Sequence, residues 1–224
     1  RHRAMPIAIL GLLGGFVTPI LLAAGSDRPI ALFSYLLLLD GALLWVAHHR
    51  RWPALALLSL GATTLHQAMW ILGDMGPERL WMGLAMLGVF GALFAAIPTR
   101  DGERSRTNDL TRALAVLAPF TFALFFAADA DFGPWFYPTG GLLLILSLGA
   151  LFVGQRQRLP VVGLVSAAGS VGVLAVFLLR SRPDTLFGVV EIVAFTALLS
   201  ALFHIALEWK KSEGVELPRE LRLA

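Results

Sequence analysis

The chain has 224 residues, 57% hydrophobic and 15% charged, with a mean hydropathy of +0.75. A water-soluble domain of that length needs more polar surface, so the composition excludes one and points to membrane-spanning helices of roughly 20 residues each. The lack of cysteine excludes a disulfide framework and a thiolate metal site. The basic balance (pI 9.9) lies between apolar stretches, so it marks topology and not affinity for nucleic acid.

Eight apolar stretches follow one another, at 4–24, 29–47, 53–72, 80–97, 113–128, 139–153, 160–179 and 185–207. Lipid offers no partner to backbone N–H and C=O groups, so each is expected to be a helix. Arg1-His2-Arg3 imitates the start of a signal peptide, but the run behind it is too long and too many spans follow. The first residue is not methionine, which suits a piece of a longer chain. Pro29, Pro53 and Pro160 open the second, third and seventh spans, where a missing N–H costs nothing. The fifth and sixth spans look short, and Pro119 and Gly140-Gly141 are expected to distort them.

Lysine and arginine collect in alternate gaps. Arg1, Arg3, Arg50, Arg51, Arg100, Arg104, Arg106, Arg112, Arg156, Arg158, Lys210, Lys211, Arg219 and Arg222 fall on one side; only Arg28, Arg79, Arg180 and Arg182 fall on the other. The positive-inside rule then predicts a multi-pass protein of a bacterial inner membrane with cytoplasmic termini. Residues 1–209 are the transmembrane region and 210–224 a cytoplasmic tail. Trp52 and Trp209 are expected at the cytoplasmic boundary, and Trp70, Trp81 and Trp135 at the outer one.

The first four spans resemble the last four, as repeats over 4–97 and 113–207. Phe16–Ala24 aligns with Phe120–Ala128, Gly41-Ala42-Leu43 with Gly149-Ala150-Leu151, Pro53 with Pro160, and Ser59 with Ser166. That alignment puts Leu148 opposite Asp40. A parallel duplication into two four-helix units and chance likeness among apolar segments explain the pattern equally well.

One stretch resembles a known family. Gly14-Gly15-Phe16-Val17-Thr18-Pro19-Ile20-Leu21-Leu22, then Ala31-Leu32-Phe33-Ser34-Tyr35-Leu36, then Trp52 opening a span, is similar to the bacterial membrane proteins of domain of unknown function 2339. The likeness is dense over 8–60 and loose beyond. It implies long chains with many spans, often behind a cytoplasmic coiled coil, and it carries no activity or site residue with it. Where this chain has Asp40 the family pattern has Asn.

Ionisable groups inside a bilayer are costly, so each is a candidate functional residue. Asp40 falls near mid-span, about 16 Å in at 1.5 Å per residue, and His66 and Gln67 about 10 Å below the outer surface. Glu191 lies at similar depth on the last span. Thr63 shares a face with His66 and Gln67. If the second, third and eighth spans touch, Asp40, His66, Gln67 and Glu191 line an outward-facing polar pocket, and a carboxylate–imidazole pair there exchanges protons. The competing reading is structural: each side chain bonds a neighbouring helix or a backbone carbonyl.

Other motifs have simpler explanations. His48-His49-Arg50-Arg51 puts adjacent side chains about 100° apart, poor for chelation and suited to an interface anchor. Arg100–Arg112 reads as a loop that meets anionic headgroups or stays solvated. His204 and Glu208 pair or snorkel near the cytoplasmic end. Asp74-Met75-Gly76-Pro77 and Asp131-Phe132-Gly133-Pro134 read as turns. Rows of small residues from Gly11 to Gly15, Gly88 to Ala95 and Gly163 to Ala167 predict close helix packing, within the chain or in an oligomer.

These features support an all-α, polytopic bundle in contact with the lipid bilayer, without cofactor, metal or nucleic-acid partner. The leading functional reading is a transport or permeation domain for a small solute. A non-catalytic scaffold for envelope partners comes second. An envelope enzyme, built on Asp129 and Asp131 with Trp135 and Tyr137 stacking a sugar, ranks well behind.

Overall fold

The computed structural model describes residues 5–22, 28–96, 106–129, 131–132, 136–157, 160–180 and 186–212. They form eight α-helices: α1 (Met5–Leu22), α2 (Pro29–Arg50), α3 (Pro53–Gly73), α4 (Leu80–Ala95), α5 (Arg106–Ala128), α6 (Tyr137–Gln157), α7 (Pro160–Arg180) and α8 (Leu186–Ser212). A 3-10 turn, Pro77–Arg79, leads into α4. Six of these segments are long and apolar enough to cross a membrane, and α1 and α6 contribute the shorter apolar stretches Met5–Leu21 and Tyr137–Phe152. The protein is a polytopic helical membrane bundle.

Local sequence sets the turns. Arg51 adopts a left-handed conformation with φ 58°, which stops α2. The Trp52 N–H then bonds back to the Ala47 carbonyl at 2.9 Å, and Pro53 starts α3 at once. The result is a tight antiparallel hairpin of α2 and α3.

Helix α5 starts earlier than hydropathy suggests. Arg106, Asp109 and Arg112 form its first turns, because a polar sequence is free to be helical outside the hydrocarbon. The predicted loop therefore ends before Arg106. Arg112 is buried and lies 3.6 Å from Asp109, one turn back, so it faces protein and not headgroups. Arg100 and Arg104 lie outside the described residues. Gly140-Gly141 do not break α6; Gly140 instead lets the Phe195 ring of α8 approach so closely that an added Cβ would sit 2.8 Å from it.

The chain forms two compact units, Arg1–Phe122 and Ala123–Ala224. In the first, α2 packs along α3, α1 packs on both, and α4 packs on α3 and α2. Leu36, Leu55, Leu87 and Phe94 fill the interior. Phe33 meets Trp70 edge-on at 5.3 Å and Phe90 at 6.2 Å. Trp70 is thus a core residue, 3% exposed, and not part of an interfacial belt, whereas Trp81 is 60% exposed. In the second unit α6 packs along α7 and against α8. Phe136 joins them, 4.7 Å from Phe177 and 5.6 Å from Phe195. Trp135 and the side chain of Trp209 lie outside the described residues.

The small-residue rows act at selected positions. Gly15 faces the Leu39 side chain and Gly163 faces Leu151, while Gly11 and Gly88 look onto open space. Gly91 of α4 stands beside the Ala115 carbonyl and the Pro119 ring of α5. Pro19 and Pro119 both sit inside helices, so each removes the N–H that would bond the carbonyl four residues earlier. Those carbonyls belong to Gly15 and Ala115.

Candidate functional site: polar locks between paired helices

The freed Gly15 carbonyl is the start of the first site. Tyr35 of α2 donates its hydroxyl to it at 3.0 Å, replacing the helix bond that Pro19 cannot make. One residue on, the Phe16 carbonyl lies 2.9 Å from Nε2 of His66 on α3. The Phe16 ring also leans on the imidazole, with centroids 5.6 Å apart. The proline in α1 therefore opens the Gly15 acceptor, which a side chain of α2 fills, and the neighbouring Phe16 carbonyl receives a side chain of α3. Thr18 bonds back to the Gly14 carbonyl within α1.

Below this tie lies Asp40. Its Oδ1 accepts a short hydrogen bond from the Ser59 hydroxyl, and its Oδ2 accepts one from Thr63 at 2.6 Å. Ser59 and Thr63 are one turn apart on α3, so both point at one residue of α2. Asp40 and Ser59 are 0% exposed and Thr63 1%. An ionised carboxylate accepts but never donates, and here each oxygen has its own donor. The three residues lock α2 to α3 where all are buried and an unbonded polar group would be costly.

His66, 6% exposed, does not bond Asp40. Its Nδ1 lies 2.9 Å from the Ala62 carbonyl in its own helix, and its Nε2 reaches α1. Gln67, 4% exposed, follows on α3, and its Nε2 has no hydrogen-bond partner among the described residues. Glu191 belongs to the second unit, on α8. The Tyr137 backbone at the first turn of α6 bonds its carboxylate, while its Oε1 is buried without a partner among the described residues. Of the four residues predicted to share a pocket, Asp40, His66 and Gln67 lie on the packed pair α2 and α3, and Glu191 is bonded within the other unit.

Sequence reading missed the significance of Ser59, which it used only as a repeat marker. It also missed a second lock. Ser147 of α6 meets Ser170 of α7 at 3.1 Å and Ser166 at 3.4 Å, all buried. The partners of Asp40 lie 19 and 23 residues on, and so do the partners of Ser147. Helices α3 and α7 are both 21 residues long and both start at proline. The same offset carries Leu36 onto Leu143, both fully buried, and Trp70 onto Phe177, both buried aromatics. The residue opposite Asp40 is therefore Ser147, one position from the Leu148 of the sequence alignment.

The remaining candidates are local. Asp129 accepts from the Asp131 N–H at 2.9 Å, a turn made by its own side chain, while Gly133 and Pro134 of the predicted turn lie outside the described residues. His49 stacks on Trp45 with centroids 5.2 Å apart. His204 and Glu208 are exposed on α8. Among the described residues no group of three His, Cys, Asp or Glu side chains is placed to hold a metal ion.

Comparison with known families decides the chain's kinship. The family model described as "Predicted membrane protein (DUF2339)" matches residues 1–220. The chain belongs to this family. No curated protein and no solved structure matches it. The DUF2339 stretch quoted above, Gly14–Leu22 with Ala31–Leu36, contains Gly15, Phe16, Pro19 and Tyr35, the residues that join α1 to the hairpin.

Proposed function

We propose that this DUF2339 domain is a non-catalytic membrane scaffold whose helix hairpins are held by buried polar locks. One observation carries the reading: the same three-position lock occurs in both units, with a carboxylate in one and only hydroxyls in the other. What the two share is clamping of one helix to the next, which needs no ionisable group. The set sits in a bacterial inner membrane with both ends of this segment cytoplasmic, as the arginine distribution indicates. Arg50 and Arg106 then face anionic headgroups, and the exposed apolar faces meet lipid or another copy of the chain. The two hairpins descend from one duplicated ancestor.

A second reading is transport of a small solute through the first unit. It is favoured by the Gln67 Nε2, which has no hydrogen-bond partner among the described residues, on the helix pair that carries the buried ionisable residues Asp40 and His66. Proteoliposomes separate the two. Under a potassium diffusion potential with valinomycin, the scaffold reading expects internal pH to drift at the protein-free rate, with or without Asp40→Asn. Proton uptake that requires Asp40 would overturn it.

A further inference from the structure

We propose that Asp40 and His66 form one internally neutral, proton-holding pair: His66 carries the proton as imidazolium and Asp40 is the carboxylate that balances it. The inference does not depend on the scaffold reading and stands on hydrogen-bond accounting. Both ring nitrogens of His66 lie 2.9 Å from carbonyl oxygens, those of Ala62 and Phe16. A carbonyl only accepts, and a neutral imidazole has one N–H, so only the doubly protonated ring satisfies both contacts. Asp40 shows the complementary arrangement, with a hydroxyl donating to each oxygen.

Nothing else among the described mid-membrane residues of the first unit balances either charge. Helices α1 and α4 contain no ionisable residue. Besides Asp40, α2 has Tyr35, whose hydroxyl donates to the Gly15 carbonyl, and His48, His49 and Arg50 in its last turn. Helix α3 has His66 alone. Arg106, Asp109 and Arg112 belong to the first turns of α5, and Glu78 and Arg79 to the turn before α4. A lone anion or cation in that setting is costly, whereas opposite charges held within one unit offset each other.

The second unit supplies an independent observation. The offset that carries Asp40 onto Ser147 carries His66 onto Val173, which is fully buried. Both ionisable groups are absent there together, so each unit is neutral at these positions. The two residues behave as a pair, present or missing as one.

The test uses the full chain in nanodiscs with nitrogen-15-labelled histidine, the His66 signals being assigned by their loss in His66→Gln. At neutral pH the proposal expects both ring nitrogens of His66 to be protonated, and Asp40→Asn to abolish that signature while helix content is kept. A single-NH tautomer in the unmodified protein overturns it, as does a doubly protonated His66 that persists in Asp40→Asn. Thermal unfolding gives a second, independent readout. Asp40→Ser and His66→Val each lower the melting temperature, and combining them recovers most of the loss; additive losses would overturn the pairing.

Discussion

Tyr35 donates to the Gly15 carbonyl oxygen, the acceptor that Pro19 leaves open four residues along α1. The two residues are 20 apart in sequence and on different helices, and the bond exists because a proline removed an N–H. Tyr35→Phe should therefore lower stability by about 1–3 kcal/mol, the cost of an unsatisfied carbonyl away from water. In a Pro19→Ala background the carbonyl regains its helix partner, and the same change should cost less. Unfolding of the four proteins of this cycle in one detergent measures the difference.

The two locks predict unequal costs. Thr63→Ala removes a donor from a carboxylate and should cost about 1.5–3 kcal/mol, whereas Ser170→Ala removes a hydroxyl–hydroxyl bond worth about 0.5–1.5 kcal/mol. Thr63→Ser keeps the donor and should recover most of the loss. Equal effects of Thr63→Ala and Ser170→Ala in thermal unfolding would contradict the assignment of Asp40 as the charged member.

Glycine substitutions should divide by what each glycine faces. Gly140→Ala drives a methyl into the Phe195 ring and should destabilise by about 1–3 kcal/mol. Gly11→Ala meets nothing within 4 Å and should stabilise by roughly 0.5–1 kcal/mol through helix propensity. Phe195→Ala should remove the penalty of Gly140→Ala, which unfolding of the double variant reads directly.

The absence of cysteine makes topology simple to map. Glu78→Cys, in the turn before α4, should react with a membrane-impermeant maleimide in intact spheroplasts. His49→Cys, at the opposite end of the hairpin, should react only after the membrane is opened. The reverse pattern would invert the orientation taken from the arginine distribution.

Hydropathy located all eight helices, because a span needs a run of apolar residues and little else. It missed the start of α5, where Arg106–Arg112 is helical and too polar to register. It did not place Trp70 inside, since helix phase depends on which neighbour packs where. The lock residues were all visible as polar letters, but their partners were not. Matching glycines in α2 and α6 put Leu148 opposite Asp40, and one residue of slip is a rotation of about 100°, enough to hide Ser147. His66 was legible as a buried ionisable group; its two carbonyl partners, one of them on α1, depend on the packing of α1 against α3.

On the scaffold reading the Asp40 centre is a closed clamp and not a water-filled path. The most direct test is the reactivity of Ser59→Cys and Thr63→Cys toward small water-borne thiol reagents, applied from each side of the membrane with Glu78→Cys as the exposed reference. A thiol reacts as thiolate in water. A closed clamp predicts no detectable modification at either buried position while Glu78→Cys is labelled to completion. Ready modification of Ser59→Cys or Thr63→Cys from one side would contradict it and show an open route to Asp40.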